Sequence, residues 1–330
     1  MADNMNVYGD ITPRTAAYAV PRLLDAGDAY MNIQRFATTE PLPPNKTDTA
    51  KFRRYENLPL AKTPLEEGVT PAGEQITYTD LTVKLDQYGS HVPLTDRIQD
   101  LHEDPVLNRY MKLVGRQAGE TLESLRHDTL RAGSNVIYAN GSSRSDVNTA
   151  ISRPKLRQAV KVLLRQRAQL ISQALRSDTR YNTVNVEPTF IAFCHTDLES
   201  SIRDLPGFKS VADFGSKPPY PNVLGALERT TFVLSQLYEP WKDDGGVAGG
   251  NYESTSGTSA DVYPIVIVAM DSYGVVPLKG RTAVTPIVHN PKVSDTDKLG
   301  QRGHVGWKTY DSSLILNEGW AIRIEVAAPL

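Results

Sequence analysis

The sequence holds a single cysteine, Cys194, in 330 residues. No internal disulfide and no multi-cysteine metal site can be built from it, and an intracellular origin is the default expectation. Long apolar runs are missing as well. The longest, Val262 to Met270, has nine residues and contains Pro264, far short of the roughly 20 that a membrane-spanning helix needs. The N-terminus, MADNMNVYGD, offers neither a basic leader nor an apolar core, so no secretory signal is expected. An excess of one charge is also absent. Lys plus Arg total 36 against 38 Asp plus Glu, for a net charge of −2, which argues against a dedicated nucleic-acid binder. What remains is 40% apolar and 22% charged, the balance of a chain that folds around a core. At this length one large domain or two smaller ones are expected.

Reactive constellations are sparse. The patterns HExxH, GxSxG and GxxxxGK[ST] do not occur. Gly245 to Gly250 includes four glycines but no Lys-Ser/Thr pair to meet a phosphate, so a flexible surface loop is expected over Asp243 to Asp261. Cys194 and His195 are neighbours on an expected strand and point to opposite faces, which makes them a poor nucleophile–base pair and better structural residues. Asp295, Asp297 and Gly300 resemble the start of a calcium loop, but Leu299 and Gly306 stand where further ligands are required. The six histidines show no ligand spacing. Neither catalysis nor a cofactor is expected.

What is present is an unusual order of elements. Residues 1 to 75 carry eight prolines and weak periodicity, with at most a short turn around Leu23 to Phe36. They predict an arm that lies on its own domain or is pinned by neighbouring copies. Ile76 to Ile98 reads as extended chain, with a bend or bulge at Tyr88-Gly89. Ala50 to Asn57 predicts its hairpin partner, and Leu58 to Gln75 a polar tip. Asp104 and Pro105 suit the start of a long helix ending near Gly133, about 28 residues or roughly 42 Å long. Leu107, Met111, Val114, Ala118, Leu122 and Leu125 form its apolar stripe. Arg109, Lys112, Arg116, Glu120, Glu123 and His127 fall opposite.

A second helix is predicted from about Pro154 to Leu175, with Leu156, Val160, Leu163, Leu164, Leu170, Ile171 and Ala174 as its apolar arc. Arg157, Lys161 and Arg165 form a basic stripe opposite, and Arg167 falls inside the arc, where it must snorkel or find a partner. Residues 144 to 180 hold nine basic against two acidic residues. A solvated face is the simplest reading of the stripe; a face turned toward nucleic acid or an acidic subunit is the alternative. Strands are expected at Thr189 to His195, Arg229 to Tyr238, Val262 to Met270, Ala283 to His289 and Trp320 to Val326, with a short helix at Thr196 to Arg203. In the last strand Trp320, Ile322, Ile324 and Val326 alternate with Arg323 and Glu325.

Five stretches carry a family likeness: LTVKLDQYGSHVPLTDRIQD (81 to 100), DPVLNRYMKLVGRQAGETLESLRHDTLRAG (104 to 133), FIAFCHTDLESSIRDLPGFKSVADFG (190 to 215), VYPIVIVAMDSYGVVPLKG (262 to 280) and KLGQRGHVGWKTYDSSLILNEGWAIRIEV (298 to 326). In this order they resemble the major capsid proteins of tailed phages, which share the Hong Kong 97-type fold, and within those the N-four-like podophage subfamily. The resemblance implies an α+β fold with an N-terminal arm (1–47), an extended loop with its strands (48–88), a peripheral domain (89–180 and 281–330) built on the 104 to 133 spine helix, and an axial domain (181–280). It implies a structural protein that assembles as hexamers and pentamers into an icosahedral shell around double-stranded DNA, in the virion, after assembly in the host cytoplasm.

The resemblance also implies roles for particular residues. Lys62, Glu66 and Glu67 fall at the extended-loop tip, which meets a neighbouring subunit. Arg157, Lys161 and Arg165 become an interior basic face touching packaged DNA without sequence preference. Leu107, Met111, Val114 and Leu125 become the core face of the spine helix. The segment before Ile76 is too short and Pro-broken for a built-in scaffold, so a separate scaffolding protein is implied, with a portal protein, an optional decoration protein and no membrane partner. Lys62 is the only lysine of the tip, but no Glu–Asn pair accompanies it, and covalent crosslinking is not expected. An encapsulin-like compartment shell and an α/β enzyme without a recognisable motif are the alternatives.

Overall fold

In the computed structural model, residues 31–43, 47–56, 58–64, 67–68, 70, 72–96, 106–176, 182–213, 220–278, 284–289, 291–293 and 297–330 are described. Glu66, Asp104, Pro105 and Asp295, with residues 1–30, lie outside them, as does the side chain of Leu107.

A 3-10 turn at Ile33–Phe36 leads into β1 (Thr38–Thr39). The hairpin follows as β2 (Thr49–Tyr55) and β3 (Tyr78–Lys84), paired antiparallel from Thr49 with Lys84 to Tyr55 with Tyr78. After β4 (Asp86–Thr95) comes the long helix α1 (Val106–Arg131), then β5 (Val136–Tyr138) and helix α2 (Arg153–Arg165). β6 (Ile171–Arg176) and β7 (Asn182–His195) pair antiparallel, and α3 (Glu199–Arg203), β8 (Lys209–Ser210), β9 (Val223–Leu227) and β10 (Thr230–Ser235) continue the body. The last strands are β11 (Val262–Val268), β12 (Tyr273–Val275), β13 (Thr285–His289), β14 (Arg302–Asp311), β15 (Ser313–Ile315) and β16 (Ala321–Ala327).

Among the described residues the main sheet has eight strands, in the order β5-β16-β11-β7-β10-β9-β8 with β6 beside β7. Its central strands are apolar nearly throughout because both faces are covered. Phe190, Ala192 and Cys194 look toward Leu156, Ala159 and Leu163 of α2. Ile191 and Phe193 look the other way, toward Ile33, Phe36, Leu130, Tyr238 and Tyr273. A second sheet, β13-β14-β4, lies against α1 through Met111, Val114, Ala118 and Leu122, which meet Val305 and Trp307. β1, β12 and β15 form a third sheet.

Several expectations change. The second helix stops at Arg165, and Ile171 to Arg176 is strand, not helix. Arg167 adopts φ +55°, the Ala168 N–H donates to the Leu163 carbonyl and the Arg167 N–H to that of Leu164, each at 3.0 Å. This is a Schellman closure formed without glycine, which is why no stop signal is visible in the sequence. Arg167 is consequently exposed rather than inside the apolar arc, and Leu164 is 41% exposed.

Of the bend or bulge expected at Tyr88-Gly89, the bulge is absent. β4 pairs with β14 without a break from Asp86–Asp311 to Thr95–Arg302. Gly89 is there for closeness: a Cβ would stand 2.8 Å from the Trp307 carbonyl oxygen.

Glu123 and His127, expected on the outer face of the long helix, are buried, as is Arg126, while Leu125 is half-buried. Only the first half of α1 is one-sided. Its second half is enclosed by β14 and by residues 32–36, so apolar patterning ceases to mark the inside. Arg323 and Glu325 are buried too, because β16 runs inside the main sheet between β11 and β5.

The Gly-rich loop is closely stitched rather than loose. Asp243 accepts from Ser254 Oγ (2.8 Å), Ser256 Oγ (2.6 Å) and the Gly257 N–H (3.1 Å), and Asp261 accepts from the Asp243 N–H (2.8 Å) and Thr255 Oγ1 (2.7 Å). A Cβ on Gly245 would fall 2.4 Å from the Val147 carbonyl, so that glycine serves backbone packing, not a phosphate. Residues 31–43 are part of the chain's own fold: Ile33 is fully buried, β1 pairs parallel with β12, and Leu42 bridges Leu278.

Candidate functional site

Among the described residues no three His, Cys, Asp or Glu side chains are placed to hold a metal. Burial pushes the Cys194 thiol well above its ordinary pKa, away from the nucleophilic thiolate. His195 is half-buried, and its Nδ1 accepts from the Asp197 N–H at 3.2 Å. The features that stand out are surfaces and the buried anchors that hold them.

The hairpin is the first. Its base is apolar: Ala50 and Phe52 pack with Leu42, Leu85 and Val276. Above the base the two strands are clamped by charge. Arg53 donates to both Asp80 oxygens at 2.8 and 3.1 Å, Lys51 lies 3.3 Å from the same carboxylate, and the hydrogen bonds from Arg53 hold Asp80 down at about 2. The Arg53 guanidinium sits 4.1 Å from the Tyr78 ring centre. Beyond this clamp Tyr55, Leu58, Leu60, Ile76 and Tyr78 are exposed large apolar side chains. Lys62 and Glu67 are exposed on the same tip. Among the described residues these apolar side chains are more than two-fifths exposed, a group that a partner surface would cover.

The second surface is the outer side of α2. Arg157, Lys161 and Arg165 are all exposed. They line a shallow groove of about 380 Å³ with Val160, Leu164 and Glu228. Leu164, expected in the core, instead floors this groove.

The third feature is the anchoring of the long helix. Met111 and Val114 are buried against Val305 and Trp307. One turn from the helix end, Arg126 donates to Asp311 (3.0 and 2.9 Å) and to Gln34 Oε1 (2.9 Å). Glu123 accepts from the Tyr238 hydroxyl at 2.7 Å, and burial pushes its carboxyl up to about 7 against the pull of that bond and of Arg126. His127 stacks on Tyr238 with ring centres 4.6 Å apart, and burial holds it down at about 3. At the helix C-terminus Arg323 donates to the carbonyls of Arg131 and Gly133, where a cation suits the free carbonyl groups. Arg323 and Arg144 share Glu325, and Arg144 covers the Trp241 ring at 3.7 Å.

These anchors escape sequence reading because their partners are remote: Gln34 and Asp311 are 92 and 185 residues from Arg126. The one available signal was three adjacent titratable side chains, Glu123, Arg126 and His127, on contiguous turns of one helix.

A family model described as "Phage capsid protein" matches residues 78–311. No curated protein matches the chain. Among solved structures, the capsid of Ralstonia phage GP4 is similar with a TM-score of 0.67 at 14% identity, covering 89% of this chain and 87% of that one. The cyanophage Pam1 capsid asymmetric unit gives 0.61 at 12% identity and covers 99% of both chains. The holo-SrpI encapsulin complex of Synechococcus elongatus gives 0.51 at 11% identity, covering 99% of this chain and 92% of that one. At these identities the likeness is one of fold.

Proposed function

The chain belongs to the phage capsid protein family, and on that premise we propose that it is the major capsid protein of a tailed bacteriophage, closing an icosahedral shell of hexamers and pentamers around double-stranded DNA. It is a structural protein of the virion with the Hong Kong 97-type α+β fold. The N-four-like podophage assignment, assembly in the host cytoplasm, and the scaffolding, portal and optional decoration partners are parts of the same proposal. So are the arm (1–47), extended loop (48–88), peripheral (89–180 and 281–330) and axial (181–280) divisions.

The observation that carries the reading is the family match over residues 78–311. The hairpin supports it physically. Its distal apolar side chains are exposed among the described residues, and a repeated subunit supplies cover at every copy. In this reading Lys62, Glu66 and Glu67 contact the neighbour, Arg157, Lys161 and Arg165 face the interior, and the near-neutral net charge keeps a shell from gripping its densely packed DNA.

The test is expression of the chain alone and with a scaffolding protein, followed by negative-stain imaging and sedimentation. Closed shells are expected in at least one case, and a chain that stays monomeric in both overturns the reading. Replacing Tyr55, Leu58 and Leu60 together by Ser is expected to leave a folded subunit that no longer closes shells. An encapsulin-like compartment is the second reading, favoured by the likeness to the SrpI encapsulin. Particle contents separate the two, DNA in one case and enzyme cargo in the other.

A further inference from the structure

Residues 153–167 hold six basic side chains, Arg153, Lys155, Arg157, Lys161, Arg165 and Arg167, and no acidic one. The structure disposes of three. Lys155 turns aside to the Tyr138 carbonyl at 2.8 Å. Arg153 and Arg157 both donate to one oxygen of Glu228, at 3.0 and 2.7 Å. Lys161 and Arg165, the next two cations along the groove, are exposed and make no ion pair among the described residues.

Two further facts narrow what fits there. Glu228 sits at φ +58° on the turn from β9 to β10, a left-handed backbone that a non-glycine residue adopts at a cost. One end of the groove is therefore already built around a carboxylate. Between the cations Val160 and Leu164 form an apolar floor, and Leu164 is 41% exposed. Phosphate groups would pair with Lys161 and Arg165 but would leave this floor wet. A helix with carboxylates flanking an apolar side chain would satisfy both, and residues four apart on it stand about 6 Å apart, the rise between Lys161 and Arg165 on α2.

We propose that the α2 groove docks an acidic amphipathic helix of a partner protein, with its carboxylates on Lys161 and Arg165 and an apolar side chain on Leu164. The proposal rests on the shell reading only for the partner's identity, a scaffolding protein. The docking chemistry stands on the groove itself.

The test uses the full-length subunit and two probes: a 20-residue peptide of Glu and Leu at helical spacing, and a 20-base-pair DNA duplex. The peptide is expected to bind, and the double variant K161E/R165E to weaken it about ten-fold. Leu164→Ser is expected to weaken it several-fold without altering thermal stability, since that side chain is already half in water. A peptide with Ser in place of Leu provides the same comparison without touching the protein, so a variant that fails to fold does not stall the test. No peptide binding, or binding indifferent to both Leu164→Ser and the Ser peptide, overturns the proposal. Duplex binding that matches the peptide's and ignores Leu164→Ser overturns it in favour of DNA. Imaging the same preparations keeps the two readings apart: shells without peptide binding sink the groove alone, and peptide binding without shells sinks the shell reading alone.

Discussion

The carboxylate of Glu123 accepts the backbone N–H of Ile33 on both of its oxygens, at 3.1 and 3.2 Å. Ninety residues of chain separate the two, and the bond fastens the root of the N-terminal arm to the spine helix. Tyr273 holds the same residue from the other side, its hydroxyl donating to the Ile33 carbonyl at 2.6 Å. The segment around Ile33, the spine helix and β12 of the third sheet are thus joined at one buried point.

That point is pH-dependent. Burial lifts Glu123 from its ordinary 4.5 to about 7. The groups facing it are Arg126, Tyr238 and, through Tyr238, the neutral His127. A carboxyl raised by folding favours the native state while protonated. Its contribution is therefore complete below about pH 4.5 and is lost as pH rises through 7. Glu123→Gln removes the titration and keeps an acceptor for Ile33. Its stability relative to the natural chain is expected to improve by about 2–3 kcal/mol between pH 5 and pH 8. Urea unfolding at the two pH values measures this, and parallel pH profiles would refute it.

Truncation distinguishes the arm from its root. Removing residues 1–40 takes away Ile33 and Phe36, both buried in the core beneath the main sheet. Each buried side chain is worth about 2–5 kcal/mol, a large part of a typical domain's stability. That truncation is expected to yield insoluble or molten protein, whereas removal of residues 1–30 is expected to keep the melting transition. Equal melting temperatures for both would show that the root does not support the fold.

Period and composition made the two main helices and the strands β2, β3, β4, β7, β10, β11, β13 and β16 legible, because burial there follows a regular face, whereas β6 reads as helix and β5, β8, β9, β12, β14 and β15 carry no strand signal of their own. Met111, Val114, Ala118 and Leu122 repeat at helical spacing and all point at one sheet. The hairpin was legible for the same reason, through Leu81 and Val83 opposite Ala50 and Phe52. Legibility failed where an element is covered on more than one side, as at Glu123, His127 and Arg323. It failed also where a conformation is closed by hydrogen bonds that no residue type announces, as at Arg167. The basic stripe of α2 is visible in the sequence, but the exposed Leu164 that gives the groove its apolar floor is not, since the periodicity carries the expected helix to Leu175, nearly three turns past its end at Arg165.

The spine helix offers an adjacent pair with opposite expectations. Val114 is buried against the β13-β14-β4 sheet, and Leu113 is 63% exposed. Val114→Asp places an unpaired carboxylate in that contact and is expected to cost several kcal/mol. Leu113→Asp is expected to change stability by less than about 0.5 kcal/mol. Soluble yield and thermal melts of the two variants decide it, and a stable Val114→Asp would mean the helix presents a different face to the sheet.

The Arg126–Asp311 pair tests how the spine helix is locked to β14. Their side chains are 2% and 5% exposed, and the guanidinium meets both carboxylate oxygens. Two charges out of water are held mainly by each other, so losing one partner costs more than losing both. Arg126→Met leaves Asp311 buried and unpaired and is expected to cost about 3–5 kcal/mol. Asp311→Leu strands the guanidinium, with Gln34 alone among the described residues still accepting from it, and is expected to cost a similar amount. The double variant replaces the pair with apolar side chains of comparable size, and most of the loss is expected to return. Urea unfolding of all four proteins gives the coupling energy directly, and a value above about 2 kcal/mol is expected for groups in direct contact. Additive losses would mean that each charge is stabilised by its surroundings separately, and that the spine helix is held to β14 by the Trp307 packing alone.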